Sequence, residues 1–342
     1  RTSGAIGEEV ARFRLAETMG LQRDPAELVR EAQETLETAQ ARMIECAARV
    51  GSRVPLLARA RDVESIRAAL TSLHAQQLAS SDAEVIPAYE RLVHEATYLA
   101  RRSGLVPPDL SVAGEALAVK VAKMPPGIAE AGHAQNWPAP LTAGRPRADF
   151  LVQAQAAVHP AIAAPLLAVH EGVPGHSLQS LAFAHARSRD PRPVRFIAVA
   201  DDVAMARSYF GAMLSVEGWA TWVEERMREL GFYEGAAELY ACNVRALRAV
   251  RVVADLGIHL ETITPEDAHG MLVRDAFLPP ETATMEVARY QRMPLQALTY
   301  LTGALAIERH LAPLRKRGKE PAAIAKLFAE GPIPPEVLAR ED

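Results

Sequence analysis

The chain has 342 residues, of which 49% are apolar and 23% charged, and its formal net charge is -4. This length is sufficient for a buried core in one or two domains. The acidic balance argues against a nucleic-acid-binding protein that neutralises phosphates. No stretch approaches 18 uninterrupted apolar residues, so we expect no transmembrane helix and no membrane partner. Cys46 and Cys242 form no CxxC pair, which excludes a disulfide scaffold and a cysteine-built zinc site.

The first third of the chain has the periodicity and the end signals of helices. Asp24, followed by proline, predicts the start of a helix that ends at Gly51. Asp62 and Asp82 are the predicted N-caps of two further helices. We therefore predict an N-terminal helical region over residues 1–105.

A small β element is predicted in the middle of the chain. Prolines and glycines make the segment 106–146 irregular, apart from one alternating stretch from Ala116 to Ala122. Asp149 to Gln155 is a second candidate strand, and the helical pattern resumes at Pro160. The sequence thus predicts a mainly α protein with a small β element before its most informative helix. We expect residues 106–342 to form the catalytic region, continuous with the first region in one unit.

The most informative motif runs from His170 to His176, with the sequence HEGVPGH. It is similar to the HExxH zinc signature, in which two imidazoles one helical turn apart bind Zn²⁺ and the glutamate activates water. Here the second histidine comes two residues later, and positions six apart on an ideal helix differ by roughly 240° and about 9 Å. Pro174 and Gly175 can break the helix and bring His176 back toward a shared ion. The alternative is an ordinary polar pair at a kink.

A catalytic zinc site usually has three protein ligands and an open position for water. Glu217 is our candidate for the third ligand, because the next long helix can fold back across the motif. Glu224 lies two helical turns later on the same face and could orient a ligand imidazole. Alternatively, both belong to a solvated acidic face, because Glu225 and Glu229 follow.

Two later groups of residues have the spacing of single helix faces. They are Arg251, Asp255 and His259, and then Glu286, Arg289 and Tyr290, which Gln296 and Tyr300 follow. A hydrolytic zinc site needs a donor for the oxyanion that develops on the substrate, and a tyrosine hydroxyl or a histidine N–H can serve. An arginine can bind a substrate carboxylate through two hydrogen bonds. The alternative for both groups is a salt-bridge network on exposed helices.

Five blocks of the sequence carry a family resemblance. They are His170-Glu-x-x-Pro-Gly-His176-x-x-Gln179, Glu217-Gly-Trp-Ala, Arg251-x-x-x-Asp255-x-Gly257-x-His259, Glu286-Val-x-Arg289-Tyr290-x-x-x-Pro294-x-Gln296 and Tyr300-x-x-Gly303. In this order they resemble the bacterial family called domain of unknown function 885, which is usually described as metallopeptidase-like. The resemblance implies a helical fold with a zinc-peptidase-like cleft. It implies His170, His176 and Glu217 as ligands, Glu171 as general base, and His259, Arg289 and Tyr290 as cleft residues.

The chain departs from the family pattern at two positions near the expected cleft. Ser177 stands where the family commonly has a second histidine, and Leu295 where it commonly has glycine. Neither position is a proposed ligand. The departures leave room for a substrate that differs from those of the commoner members.

We therefore expect a zinc-dependent hydrolase that cleaves an amide bond in a peptide or a peptide-like small molecule. The expected roles are proton transfer by Glu171, oxyanion stabilisation by Tyr290 or His259, substrate binding by Arg251, Arg289, Gln296 and Tyr300, and support of these groups by Glu224, Asp255 and Glu286. Zn²⁺ is the expected ion, with Mn²⁺, Fe²⁺ and Co²⁺ as alternatives for two histidines and one carboxylate.

Two other functions fit the same motifs. One is a biosynthetic tailoring enzyme that uses the metal site on a non-peptide substrate, and the other is a non-catalytic helical binding module with a structural metal. A strand at Asp149 to Gln155 on the cleft rim, able to pair with an extended substrate, would favour a peptide. The sequence leaves the localisation open, with the cytoplasm favoured, and does not determine the oligomeric state.

Overall fold

Helices dominate the fold. The computed structural model describes residues 4–110, 117, 119–127, 134–137, 147–187 and 213–331. The helices before the sheet are α1 (Glu8–Phe13), continued by a π-helical stretch to Thr18, α2 (Pro25–Val50), α3 (Val63–His74) and α4 (Asp82–Arg102). The predicted mainly α fold with a small β element is confirmed.

The starts of these helices follow the predicted signals, with one difference. The Asp24 carboxylate accepts a hydrogen bond from a backbone N–H of the first turn of α2, and Asp62 forms a capping box at α3. The N-cap of α4 is Ser81, so Asp82 is its first residue and not its cap. The Asp82 carboxylate instead accepts a hydrogen bond of 2.8 Å from the N–H of Ala156, which ties α4 to the segment after the sheet.

A three-stranded sheet packs against α4. Its strands β1 (Val119–Lys123), β2 (Ala134–Trp137) and β3 (Ala148–Val152) lie in the order β1-β3-β2, with β3 parallel to β1 and antiparallel to β2. The strand predicted from Asp149 to Gln155 is therefore central and not a substrate-pairing edge. Neighbouring strands occupy both of its sides. The edge strand near the histidine motif is β2, which lies in the segment predicted to be irregular.

Two predictions fall partly outside the described residues. The strand predicted from Ala116 to Ala122 overlaps β1, but residues 116 and 118 are not described. The helical pattern predicted for residues 188–212 also lies outside the described part of the chain.

The helix predicted from Pro160 is broken at the histidine motif. It begins as α5 (Ala164–Leu167), continues as a π-helical turn over Ala168–Gly172, and ends in a turn that contains the cis Val173–Pro174 peptide. A new helix, α6 (His176–Arg187), begins at the second histidine. The break between the two histidines therefore lies at the proline and glycine, as the sequence predicted.

The remaining described helices follow α6. They are α7 (Met213–Glu229), α8 (Ala236–His259), α9 (Pro265–Asp275), α10 (Pro280–Arg292), α11 (Thr299–Lys316) and α12 (Glu320–Glu330). α2 packs along α8, and α7 packs along α11. None of the described helices combines the length and the apolar character needed to cross a membrane.

Buried apolar residues flank the histidine motif and the first candidate carboxylate. Val169, Leu178 and Trp219 are fully buried in one cluster. The indole N–H of Trp219 also donates a hydrogen bond of 2.8 Å to the carbonyl oxygen of Pro174. The core therefore fixes α7 directly against the turn between the two histidines.

α7 and α11 cross at two glycines. A Cβ on Gly303 would lie 2.1 Å from the carbonyl oxygen of Leu214, and one on Gly218 would lie 2.6 Å from the backbone of Gly303. Only residues without a side chain allow the two backbones to approach so closely. The crossing brings Glu217, the neighbour of Gly218, toward Tyr300 on the first turn of α11.

We expect Gly303→Ala to lower the free energy of unfolding by about 1–3 kcal/mol or more, because the added methyl group overlaps backbone atoms that cannot move independently. Urea unfolding measures the change. Gly270→Ala, in α9, is the matched control, because a Cβ there meets nothing within 4 Å. The control should instead gain about 0.5–1 kcal/mol from the better helix propensity of alanine. Equal effects of the two substitutions would contradict the role of the crossing.

Candidate metal centre

The structure brings the rings of His170 and His176 together. Their centroids are 4.7 Å apart and the rings are nearly perpendicular, at 81°. The turn closes because the N–H of Gly175 donates a hydrogen bond of 2.9 Å to the carbonyl oxygen of Val169. A Cβ on Gly175 would lie 1.9 Å from the carbonyl oxygen of His170, so only glycine fits this turn.

Glu217 faces both rings from α7. Its Oε2 atom lies 3.5 Å from the Nε2 atom of His170 and 3.5 Å from that of His176. This oxygen is buried and has no hydrogen-bond partner among the described residues. In a tetrahedral zinc site the ligand atoms are about 3.3–3.5 Å apart. The three atoms therefore have the spacing of ligands that share one ion.

Glu171 lies next to the same rings, and its carboxylate is within 4.8 Å of a nitrogen of each histidine. Its Oε2 atom accepts a hydrogen bond of 2.7 Å from the backbone N–H of Asn136 on β2. This oxygen already has a donor, while that of Glu217 has none among the described residues. Glu217 is therefore the better candidate for a third ligand, and Glu171 is a candidate for a group beside the site.

Ser177 ties β2 to the motif. Its hydroxyl donates a hydrogen bond of 2.7 Å to the carbonyl oxygen of Glu171 and accepts one of 2.9 Å from the side-chain amide of Asn136. The residue that departs from the family pattern thus positions the edge strand beside Glu171. The sequence did not identify Asn136, because β2 is only four residues long and has no alternating pattern.

Glu224 supports His170 from the far side of the ring. Its carboxylate lies 2.6 Å from the Nδ1 atom of His170, and Arg248 on α8 donates to both oxygens of this carboxylate. Because this carboxylate accepts a hydrogen bond from the Nδ1–H of His170, the ring is held with its Nε2 atom toward Glu217. The sequence did not identify Arg248, although it lies one helical turn before Arg251.

The buried carboxylates create a preference for positive charge. Burial alone would lower the pKa of His170, but the neighbouring carboxylates of Glu217 and Glu224, the latter hydrogen-bonded to Nδ1, raise it to about 10. Burial would raise the pKa of Glu217, yet the two imidazoles hold it well below its ordinary value. The cluster thus stabilises an ionised Glu217 together with a positive charge between the rings, as a metal-binding site does.

Tyr300 lies beside His170, and three arginines surround the Tyr300 ring. The Tyr300 ring is nearly parallel to that of His170, with centroids 6.3 Å apart. The guanidinium carbons of Arg248, Arg251 and Arg289 lie 5.4–5.7 Å from the centre of the Tyr300 ring. Arg289 also donates to Gln296 and, over 3.3 Å, to the Tyr300 hydroxyl. The four predicted substrate-binding residues therefore lie together.

Glu286 organises this group, and Tyr290 is part of its support. Arg251 donates two hydrogen bonds to Glu286, of 2.9 and 3.0 Å, and Arg289 donates one of 3.2 Å. Tyr290 is 0% exposed, and its hydroxyl donates a hydrogen bond of 2.9 Å to the carboxylate of Glu286. The predicted oxyanion role of Tyr290 is not supported, because its hydroxyl is buried and already engaged. Tyr300 is better placed for that role.

Asp255 shapes the turn that carries Gln296. Its carboxylate accepts hydrogen bonds from the N–H groups of Leu295 and Ala297, at 3.0 and 2.9 Å, and a longer one from Leu298. Burial raises the pKa of Asp255 to about 7, although the N–H groups act against this increase. Leu295 has a positive φ of 69°, a conformation that favours glycine, which is the residue that the family resemblance leads us to expect at this position.

His259 belongs to the same support and not to the space beside the rings. It is 0% exposed, and its Nε2 atom lies 3.1 Å from the carbonyl oxygen of Tyr290. It also lies three helical turns beyond Arg248 on α8, roughly 16 Å along the axis. The predicted oxyanion role of His259 is therefore not supported, because the ring is buried and directed toward the end of α10.

The fold is similar to two solved structures described as "putative lipoprotein". The structure from Colwellia psychrerythraea has a TM-score of 0.77 and a sequence identity of 21%. The structure from Shewanella oneidensis has a TM-score of 0.75 and a sequence identity of 18%. Each similarity covers 99% of this chain but only 56% and 60% of the other chains. The chain thus spans a little over half the length of these proteins, and they support the fold alone.

Comparison of the sequence with protein-family models assigns the chain to a family. No curated protein matches the chain. One family model matches residues 1–341, almost the entire chain, and the family is described as "Bacterial protein of unknown function (DUF885)". Together with the shared blocks around His170, Glu217 and Tyr300, this match establishes that the chain belongs to that bacterial family.

Proposed function

We propose that the protein is a zinc-dependent hydrolase that cleaves an amide bond in a peptide or a peptide-like small molecule. One observation carries this proposal: the buried Oε2 atom of Glu217, without a hydrogen-bond partner among the described residues, lies 3.5 Å from the Nε2 atoms of both His170 and His176. An ionised oxygen in such a place needs a cation. Two imidazoles and one carboxylate are the ligand types of catalytic zinc sites.

The proposed chemistry uses Glu171 as the general base. Bound Zn²⁺ supplies Lewis acidity, which polarises a substrate carbonyl and makes water acidic enough to lose a proton near neutral pH. Glu171 takes that proton as the water attacks and passes it to the leaving amine. The N–H of Asn136 holds one carboxylate oxygen of Glu171 at 2.7 Å, which leaves the other oxygen for the proton.

Tyr300 is proposed as the donor to the developing oxyanion, in place of Tyr290. Its hydroxyl oxygen accepts a hydrogen bond from Arg289, and the side chain of Gln296 also interacts with it. In the proposed reaction the hydroxyl proton is donated to the oxyanion. The ring lies beside His170, a proposed ligand, and the charge of Glu217, another proposed ligand, acts on the Tyr300 hydroxyl. Both observations support a role for this hydroxyl at the site. The neighbouring guanidinium also favours a negative charge at this point.

A peptide-like substrate is supported by the position of β2. Among the described residues, this strand pairs with β3 along one side, and the backbone N–H of Asn136 donates to Glu171. An extended substrate could lie along the other side and form main-chain hydrogen bonds. The general base would then face the substrate backbone.

We also propose that the protein works outside the cytoplasm, as a secreted or membrane-anchored protein. The support is the description of both similar structures as "putative lipoprotein". This proposal replaces the cytoplasmic location that the sequence favoured. Fractionation of cells that produce the full-length protein tests it.

The hydrolase proposal is tested by zinc analysis and peptide cleavage on the same preparation. We expect about one zinc per chain after incubation with Zn²⁺ and dialysis. The zinc-loaded protein should release new amino groups from a mixed peptide pool. Removal of zinc with a chelator should stop the release, and added zinc should restore it. Failure to bind zinc, or full zinc loading without cleavage, would contradict the proposal.

We expect Tyr300→Phe to lower kcat by roughly 100-fold or more with unchanged zinc content, because one oxyanion donor is removed. Tyr290→Phe removes a buried hydrogen bond to Glu286 and should act mainly on stability, by about 1 kcal/mol. Kinetics on a cleaved peptide and urea unfolding distinguish the two effects. A large loss of kcat in Tyr290→Phe alone would reverse the assignment.

A further inference from the structure

Arg289 is an accessible arginine beside the proposed metal site. The side chain of Arg289 is 24% exposed, compared with 14% for Arg251 and 6% for Arg248. Among the described residues, its NH2 group donates to Gln296 and Tyr300, which are neutral. Among the three guanidinium groups around the Tyr300 ring, that of Arg289 is the most accessible.

The carboxylate nearest to Arg289 already has another cation. Glu286 receives two hydrogen bonds from Arg251, of 2.9 and 3.0 Å, and only one of 3.2 Å from Arg289. Glu224 is held by Arg248 through both of its oxygens. Among the described residues, Arg248 and Arg251 each donate two hydrogen bonds to these carboxylates, and Arg289 donates one. Arg289 is therefore the least fully paired of the three.

Two other carboxylates of the described residues act on Arg289 through their charge. That of Asp255 is already held by three backbone N–H groups, and the other is that of Glu217. In the proposed function that carboxylate binds a cation. A partly buried cation is stabilised by a paired anion, and the planar fork of arginine matches the two oxygens of a carboxylate.

We infer that Arg289 binds a carboxylate group of the substrate. The inference rests on the proposed hydrolase function and narrows its substrates to peptides, or peptide-like acids, that carry a carboxylate close to the scissile amide. The Tyr300 ring lies beside both His170 and Arg289. An extended chain advances about 3.3 Å per residue, so the carboxylate lies within about three residues of the scissile bond. It can be the free chain end or an acidic side chain.

Binding to a variant that does not turn over tests this inference. The zinc-loaded Glu171→Gln protein is dialysed against two pools of N-acetylated tetrapeptides of random sequence, one with free carboxyl ends and one with amidated ends. Mass spectrometry identifies the retained members. We expect peptides with a carboxylate to bind at least about tenfold more tightly than neutral ones, which corresponds to about 1.4 kcal/mol. If amidated peptides that contain Asp or Glu are retained, the bound carboxylate is that of a side chain. If only peptides with a free carboxyl end are retained, the bound carboxylate is that of the chain end.

Substitutions in α10 test whether Arg289 causes the preference for peptides that carry a carboxylate. In the same background, Arg289→Gln should remove the preference, and Arg289→Lys, which keeps the charge but loses the fork, should keep part of it. Arg292→Gln is the matched control, because Arg292 is exposed on the same helix. Urea unfolding checks that each variant is folded. Equal retention of neutral and acidic peptides, or a preference that survives Arg289→Gln, would overturn the inference.

Cleavage of the same pools by the wild-type protein separates the two proposals. Cleavage without any preference for a carboxylate would reject the role of Arg289 and leave the hydrolase proposal intact. A carboxylate preference in binding, without cleavage of either pool, would reject the hydrolase proposal and support the role of Arg289.

Discussion

Replacement of His176 with alanine is expected to abolish metal binding. The substitution removes one of three proposed ligand atoms and leaves His170 and Glu217, 3.5 Å apart, with an incomplete set. The affinity should fall by more than the 10- to 100-fold that is typical when only a partner of a ligand is removed. Elemental analysis after dialysis should detect almost no zinc, compared with about one zinc per wild-type chain.

His185→Ala is the matched control for this experiment. His185 lies on the same helix, α6, is 44% exposed, and is 3.4 Å from Asp109. Its removal should leave the zinc content unchanged. If His176→Ala retained a full equivalent of zinc with wild-type affinity, the Pro-Gly turn would not bring a metal ligand into place, and the hydrolase proposal would lose its basis.

Replacement of Glu171 with glutamine is expected to stop turnover and leave the metal bound. Glutamine has the same shape and can still accept the N–H of Asn136, but its amide cannot take a proton from water. General-base catalysis typically contributes 10²–10⁴-fold, so kcat should fall by about this factor. Zinc analysis and kinetics on a cleaved peptide measure the two properties separately.

Two outcomes would contradict the role of Glu171 in different ways. Unchanged turnover would mean that another group accepts the proton. Loss of zinc would mean that Glu171 is a ligand, which its position within 4.8 Å of both rings allows geometrically. Glu225→Gln, on α7, is the control, because Glu225 pairs with Arg228 and Arg42 outside the site.

The parts of the fold that depend on local sequence signals could be predicted. Asp24 and Asp62 cap their helices because a cap needs only a carboxylate and the next few residues. The break at Pro174 and Gly175 is also local. The edge strand could not be found, because the order of strands depends on pairing between distant segments. Val119 and Ala148, for example, become partners only after the chain crosses back.

The candidate site was predictable as a set of residues but not as a geometry. Helical spacing placed Tyr290, Arg289 and Glu286 together, and they are in contact. Spacing alone cannot tell which side chain faces open space and which faces the core. Tyr290 and His259 face the core, while Tyr300 lies beside His170. This distinction requires the packing of three helices, which a periodic pattern does not contain.

The glycine crossing of α7 and α11 has a consequence for engineering. Glu217 and Tyr300 are carried by two backbones that touch, so they move as one unit. Spreading these helices to admit a bulkier substrate would displace the carboxylate proposed to bind the ion together with the ring. New substrate specificity is therefore more easily introduced from the side of Trp137 and the rest of β2, where a change of side chain leaves that rigid pair intact.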